Sequence, residues 1–259
     1  MKAMLAGLRG RCSSAFMPFA FPFSSLARDD AAAFERIVRA RRAASSFDPC
    51  REISDDVMSS IVRSTSLAPS SFNLNPWRCV LVKNKEVRDD LAFCMSGYNV
   101  ARVQQAPVVA VFLAQCAPTE SIDRLIDEEC KRGVREDALS KLYFETSFLA
   151  AEKPVPLAMK QTVSATFAQM TQVPSISATQ AWAFKNTMPA AQTYMLAAAS
   201  HGVSTCPMEG LDEVRVRELL NAPETYSVPV IIATGYEGGI KPKSQWRFSE
   251  SEMFNEDSF

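Results

Sequence analysis

The chain has 259 residues, 47% of them hydrophobic, with 28 basic and 29 acidic side chains and a formal net charge of -1. At about 150 residues per domain this is one large domain or two small ones, with enough apolar material for a packed core. A near-neutral balance supplies no global field to recruit nucleic acid. The single histidine, His201, excludes H-E-x-x-H zinc sites and multi-histidine metal centres. The nine glycines form neither G-x-G-x-x-G nor G-x-x-x-x-G-K-[ST], and the seven cysteines contain no C-x-x-C pair. An enzyme of this composition must take its reactive atom from something other than these motifs.

Residues 1–28 carry Lys2, Arg9, Arg11 and Arg28, several serines and no Asp or Glu. That is the composition of a mitochondrial transit peptide, with a cytoplasmic chain as the alternative. Pro18 and Pro22 interrupt its one apolar stretch, Ala15 to Phe23, which is too short to span a bilayer, so no integral membrane segment is expected. From Asp29 to Arg42 the recurrence of Phe34, Ile37, Val38 and Arg41 predicts a helix, closed by Asp48-Pro49. Ser54 then reads as an N-cap with Asp55 and Asp56 in the first turn and Val57, Ile61, Val62 and Thr65 on one face; Pro69 stops the helix near Ala68. Trp77 to Val82 reads as a strand, Lys85 to Met95 as a helix, and Pro107 to Ala114 as a strand buried on both faces.

An amphipathic helix follows around Ile122 to Arg135, then a Thr/Ser/Gln/Pro-rich excursion from Glu152 to Thr179, either a loop over a site or an insertion. Ala181 to His201 predicts a long alanine-rich helix with Gly202 at its C-cap and Pro189 as a kink or a late start. Gly202 to Glu209 is a short strand, Asp212 caps a helix through Asn221, and Val228 to Gly235 is a second buried strand. Four strands interleave with helices, without internal repeat or linker. The expectation is one domain over residues 29–259 behind the leader.

Four segments read together resemble the FMN-dependent nitroreductase family: RRAASSFD at 41–48, LAPSSFNLNPW at 67–77, CPMEGLD at 206–212 and PKSQWRF at 242–248, with GYNVARVQQAPVVAVF between them. The resemblance covers nearly everything after residue 30. It implies an α+β three-layer sandwich whose central mixed, mainly antiparallel sheet is flanked by helices. It also implies a homodimer with an exchanged C-terminal arm and two FMN sites at the subunit interface. The implied activity is hydride transfer from NADH or NADPH to FMN and onward to nitroaromatics or quinones, in ping-pong fashion.

FMN brings a dianionic phosphate, a polyhydroxyl chain and a redox-active ring, so the protein must bind an anion, orient a ring and tune a potential. The resemblance assigns the phosphate to Arg41, Arg42, Lys243 and Arg247, whose planar guanidiniums suit it, with Gln245 competing for the alignment of Lys243. Ala43 and Ser45 belong to the same segment. Pro69, Ser70, Ser71 and Asn73 lie in a turn that, in the family, faces the flavin of the other subunit, and Phe72 and Phe184 line the substrate pocket. Asn99 and Arg102 match residues that address the pyrimidine edge, where a cation stabilises the anionic reduced ring. Pro207, Met208, Glu209 and Gly210 match a turn whose backbone N–H groups approach N5 and O4, and Gly210 permits close approach. The mechanistic assignments fall on Glu209, Gly210 and Arg102.

Ser45 departs from the family, which commonly has a basic residue there; reduced flavin is then harder to form unless Arg102 compensates. Phe72 stands where a small polar residue is usual. Three rival readings follow: reductive dehalogenation or flavin modification, an FMN-binding protein without efficient turnover, and a Cys206/His201 nucleophilic hydrolase. The bland reading of His201 is a helix C-terminal surface residue, and of Trp182, Phe184 and Tyr194, core.

Overall fold

The computed structural model describes residues 28–117, 121–134, 137–138, 157–167, 178–241 and 244–259. The leader up to residue 27, most of the 152–179 excursion and Lys243 lie outside these. In chain order the elements are α1 (Arg28–Ala40), α2 (Asp55–Ser66), β1 (Trp77–Val82), α3 (Lys85–Phe93), α4 (Asn99–Gln105), β2 (Val108–Gln115), α5 (Ile122–Lys131), α6 (Leu157–Phe167), α7 (Thr179–Ser200), β3 (Ser204–Met208), α8 (Glu213–Leu219), β4 (Tyr226–Gly235) and α9 (Glu250–Met253).

The strands hydrogen-bond in the order β1-β2-β4-β3, every pair antiparallel. All eight residues of β2 are buried, because helices cover both faces of the sheet. Side chains alternate across a strand. Val109, Val111, Ile231 and Ala233 therefore meet Leu91, Val103 and Val216 from α3, α4 and α8 on one face. Val108, Ala110, Phe112, Val230 and Ile232 meet Ile61, Ala190, Ala191 and Tyr194 from α2 and α7 on the other. This is the expected three-layer sandwich, and it explains an antiparallel strand with an unbroken apolar run.

Local signals account for several boundaries. Ser54 Oγ accepts from the Val57 N–H and Asp212 Oδ1 from the Arg215 N–H, each opening a helix as a side-chain cap does. Gly202, at φ +69°, releases the chain from α7 into β3. Two expectations shift. In α2 the buried positions are Met58, Ile61 and Thr65 while Val62 is 43% exposed, so the face is rotated toward Met58. The α7 helix neither breaks nor starts late at Pro189. The proline costs that turn a hydrogen bond, which burial of Ala190, Ala191 and Tyr194 against the sheet offsets. Among the described residues no helix is long and apolar enough to cross a membrane, and no group of three or more His, Cys, Asp or Glu side chains could hold a metal ion.

Candidate functional site

Leaving α1, the 41–47 segment is drawn along the β3 edge of the sheet. Ala43 forms a parallel bridge with Thr205, and the Ala44 N–H donates to Thr205 O at 3.0 Å. This isolated parallel bridge lies outside the four named strands, whose pairs are all antiparallel where the resemblance implies a mixed sheet. Phe47 bridges Glu237 and donates its N–H to Gln105 Oε1 at 3.2 Å, while Gly238 N donates to Ser46 O at 3.0 Å. The segment is thereby pinned to β3, α4 and the chain beyond β4 at once.

Two cations meet at its start. Arg41 is half-buried, and its guanidinium is held below its ordinary value by burial first and by the neighbouring Arg247 charge second. Gln245 Nε2 donates to Arg41 O at 2.6 Å, tying the C-terminal arm to this point. Two like charges side by side, with no carboxylate among the described residues paired to Arg41, make a place for an anion. Arg42 differs: its Nε and Nη2 reach Glu237 Oε1 and Oε2 at 3.3 and 3.2 Å, so its charge is already answered. The adjoining cavity of about 400 Å³ is lined by Arg41, Arg42, Arg51, Thr205 and Tyr236 among others, with the Arg51 guanidinium 3.4 Å from the Tyr236 ring centre.

A second cluster sits where β3 ends. The Gly210 carbonyl accepts from Ser96 N at 3.0 Å and Asn99 Nδ2 at 3.5 Å, and Arg102 Nη1 donates to Asn99 Oδ1 at 3.0 Å. A Cβ on Gly210 would lie 2.7 Å from Ser96 Oγ and 3.1 Å from Asn99 Nδ2, so any larger residue here would have to displace those two side chains from the turn. Arg102 Nε is buried without a hydrogen-bond partner, an orphan donor that a ligand acceptor would satisfy. Met208 is buried while Pro207 and Glu209 are exposed. Ala43 is exposed and Ser45 half-buried beside it.

The 69–73 turn stands apart. It leads into β1, the opposite edge strand from β3. Ser71 N donates to Asn186 Oδ1 at 2.7 Å, and Ser70 Oγ accepts from Asn75 N at 2.9 Å. Phe72, Asn73 and Asn75 all have positive φ, at 56°, 54° and 45°; for a phenylalanine this is a strained conformation, of the kind that concentrates at functional turns. Phe72 and Phe184 pack against one cluster built on Leu74, Ile122, Leu125 and Trp182. Within one chain, then, the 41–47, 99–102, 207–210 and 245–247 segments converge and the 69–73 turn does not join them.

Sequence reasoning passed over Ser96, Gln105, Asn186 and Glu237, which act only through partners far along the chain. Gln245 enters the sequence reading only as the alternative to Lys243 in the alignment with the family. The Cys206/His201 pair does not form: His201 Nε2 lies 3.0 Å from Ser60 Oγ, and burial pushes the Cys206 thiol up while the Arg102 charge opposes. A raised thiol binds its proton more tightly when folded, so this group costs stability only as pH climbs past the ordinary thiol range of about 8.5. Cys206 is expected to react with a thiol reagent at neutral pH far more slowly than exposed Cys50, by about tenfold or more given its thiolate deficit and burial. Equal rates, read by mass spectrometry of the labelled peptides, would contradict this.

Residues 38–236 match the model of the nitroreductase family. A Staphylococcus epidermidis protein named as an NAD(P)H nitroreductase is 27% identical over 223 residues, covering 83% of this chain and 92% of that one. Among solved structures, a Bacillus subtilis protein described as a nitroreductase superposes with TM-score 0.68 at 22% identity, covering 87% of this chain and 99% of that chain. One from Exiguobacterium sibiricum, described as a nitroreductase in complex with FMN, gives 0.64 at 19% identity over 86% of this chain and 96% of its own. On the extent of the family match, and with the fold and the RRAASSFD and CPMEGLD turns placed as described, this chain belongs to the nitroreductase family.

Proposed function

We propose that the protein is an FMN-dependent NAD(P)H oxidoreductase acting on nitroaromatic or quinone acceptors. The observation that carries this is the meeting of Arg41 and Arg247, two neighbouring cations with no carboxylate paired to either among the described residues, at the start of a segment that runs along β3. In this reading residues 29–259 form the FMN-binding domain, and the basic, acid-free segment 1–28 is a mitochondrial leader.

Bound FMN supplies two-electron chemistry, accepting hydride from a nicotinamide and delivering electrons to an acceptor. Arg41 and Arg247 would hold the phosphate, with Gln245 beside Arg41; Lys243, assigned to the phosphate by the resemblance, lies outside the described residues, and Ala43 and Ser45 belong to the segment that starts at Arg41. Asn99 and Arg102 hold the pyrimidine edge, the orphan Nε of Arg102 serving as donor and its charge stabilising the anionic state. The backbone of Pro207, Met208, Glu209 and Gly210 would contact the ring. Donor and acceptor use one face in turn, which gives ping-pong kinetics. The FMN of the E. sibiricum relative supports the cofactor.

The separated turn favours a homodimer in which Pro69, Ser70, Ser71 and Asn73 of one subunit complete the site of the other, with Phe72 and Phe184 beside the acceptor. Exposed Phe34 and Val38 on α1 and Trp246, Phe248 and Phe254 on the C-terminal arm supply apolar surface for such pairing. The test is the absorbance spectrum of FMN-loaded protein under anaerobic NADPH and then NADH. The flavin band is expected to bleach and to recover on adding a quinone or nitroaromatic. A stable flavin complex that neither nucleotide bleaches would make the chain an FMN-binding protein without turnover.

A further inference from the structure

Asn73 borders a second cavity, of about 400 Å³, between the 73–78 segment and α5. Its floor is apolar, from buried Leu74 and Leu125, and its rim carries Arg78, Arg124 and Arg132 against Glu128 and Glu129. Both carboxylates are engaged within α5 and its C-terminus: Glu128 pairs with Lys131 at 2.7 Å and Glu129 with Arg132 at 3.2 Å. Arg78 Nη1 donates to Trp77 O at 2.7 Å, which fixes one edge of its guanidinium at the mouth. Arg124, exposed on the same rim, is in neither of these ion pairs, and its charge helps, after Lys131, to hold Glu128 below its ordinary value.

We infer that this cavity receives the adenosine end of the nicotinamide donor and that Arg124, with Arg78, reads a 2′-phosphate there, making NADPH the preferred donor. The inference rests on the oxidoreductase reading above. The cavity is lined mainly by polar side chains; Leu74 and Leu125 offer an apolar patch for an adenine face, and Asn73, Asn75 and Ser121 can meet its edge and ribose. Guanidiniums on its rim suit a phosphate dianion, which NADPH carries and NADH lacks. Asn73 is common to the cavity and to the turn assigned to the flavin, so the cavity adjoins the place where the nicotinamide would be delivered.

The experiment titrates FMN-loaded, full-length protein with 2′,5′-ADP and with 5′-ADP by calorimetry, alongside steady-state kinetics with both donors. The 2′-phosphorylated nucleotide is expected to bind about tenfold tighter, the scale of one charge-assisted contact on a wet rim. Arg124→Gln should abolish that difference and raise KM for NADPH about tenfold, leaving KM for NADH and kcat in place. Arg36→Gln, an exposed change on α1, should do neither. Equal affinity of wild-type protein for the two nucleotides, or an equal rise of both KM values in Arg124→Gln, would overturn the inference. Tight, Arg124-dependent binding of 2′,5′-ADP with a flavin that no donor bleaches would sink the oxidoreductase reading and leave the nucleotide site standing.

Discussion

Replacing Arg41 and Arg247 together by alanine is expected to weaken FMN binding by about a hundredfold, since each charge-assisted contact to phosphate is worth roughly 1.5–3 kcal/mol before solvent screening. Half-buried Arg41 contributes the larger share and exposed Arg247 the smaller. The apo protein should not suffer. Arg41 is held below its ordinary value by burial and then by the Arg247 charge, so the double variant loses a repulsion rather than a support, and its apo melting temperature should hold or rise. The stabilisation that saturating FMN confers should shrink with the affinity. Arg42→Ala is the internal control: its guanidinium is engaged by Glu237, and its removal should cost FMN affinity much less. Flavin-fluorescence quenching reads all three. A double variant that binds FMN within twofold of wild type would move the phosphate elsewhere.

Arg102→Gln is expected to slow reduction of bound FMN by NADPH by about a hundredfold, the effect of removing one preorganised group that stabilises developing charge. FMN affinity should change little, because the phosphate is held at the other end of the segment. With Ser45 in place of the basic residue common in the family, Arg102 is the cation assigned to that edge of the ring, so the midpoint potential of bound flavin should fall as well. A separate readout comes from Cys206: the Arg102 charge opposes the upward push of burial on that thiol, and its loss should make Cys206 still slower to alkylate. Slower alkylation with an unchanged potential and reduction rate would place Arg102 near Cys206 but away from the ring.

The elements whose signals are local were legible in the sequence. The Ser54 and Asp212 caps, the apolar run of β2 and the glycine after α7 all work through neighbours a few residues away. What could not be read was set by distant partners. Val62 and Met58 are both apolar and one turn apart, and only the sheet decides which is covered. Pro189 carries a strong local penalty that packing along α7 overrides. The strand order β1-β2-β4-β3 is invisible to periodicity, and so is the pairing of Arg42 with Glu237, which left Arg41 and Arg42 equivalent as cations until the fold separated them. The segments around the candidate site were found through their resemblance to a family, not through composition or spacing. The strain at Phe72 had no signal, since nothing in its residue type announces a positive φ.

The partners of the 41–47 segment come late. Arg42 finds Glu237 at 195 residues' separation and Gln245 reaches Arg41 O across 204. Both contacts close loops that span nearly the whole domain, an ordering cost that local helix formation does not carry. Their partners lie beyond β4, so a chain trimmed after Gly235 would keep every residue of the sheet while losing Glu237 and Gln245, and with them the clamp on the proposed anion site.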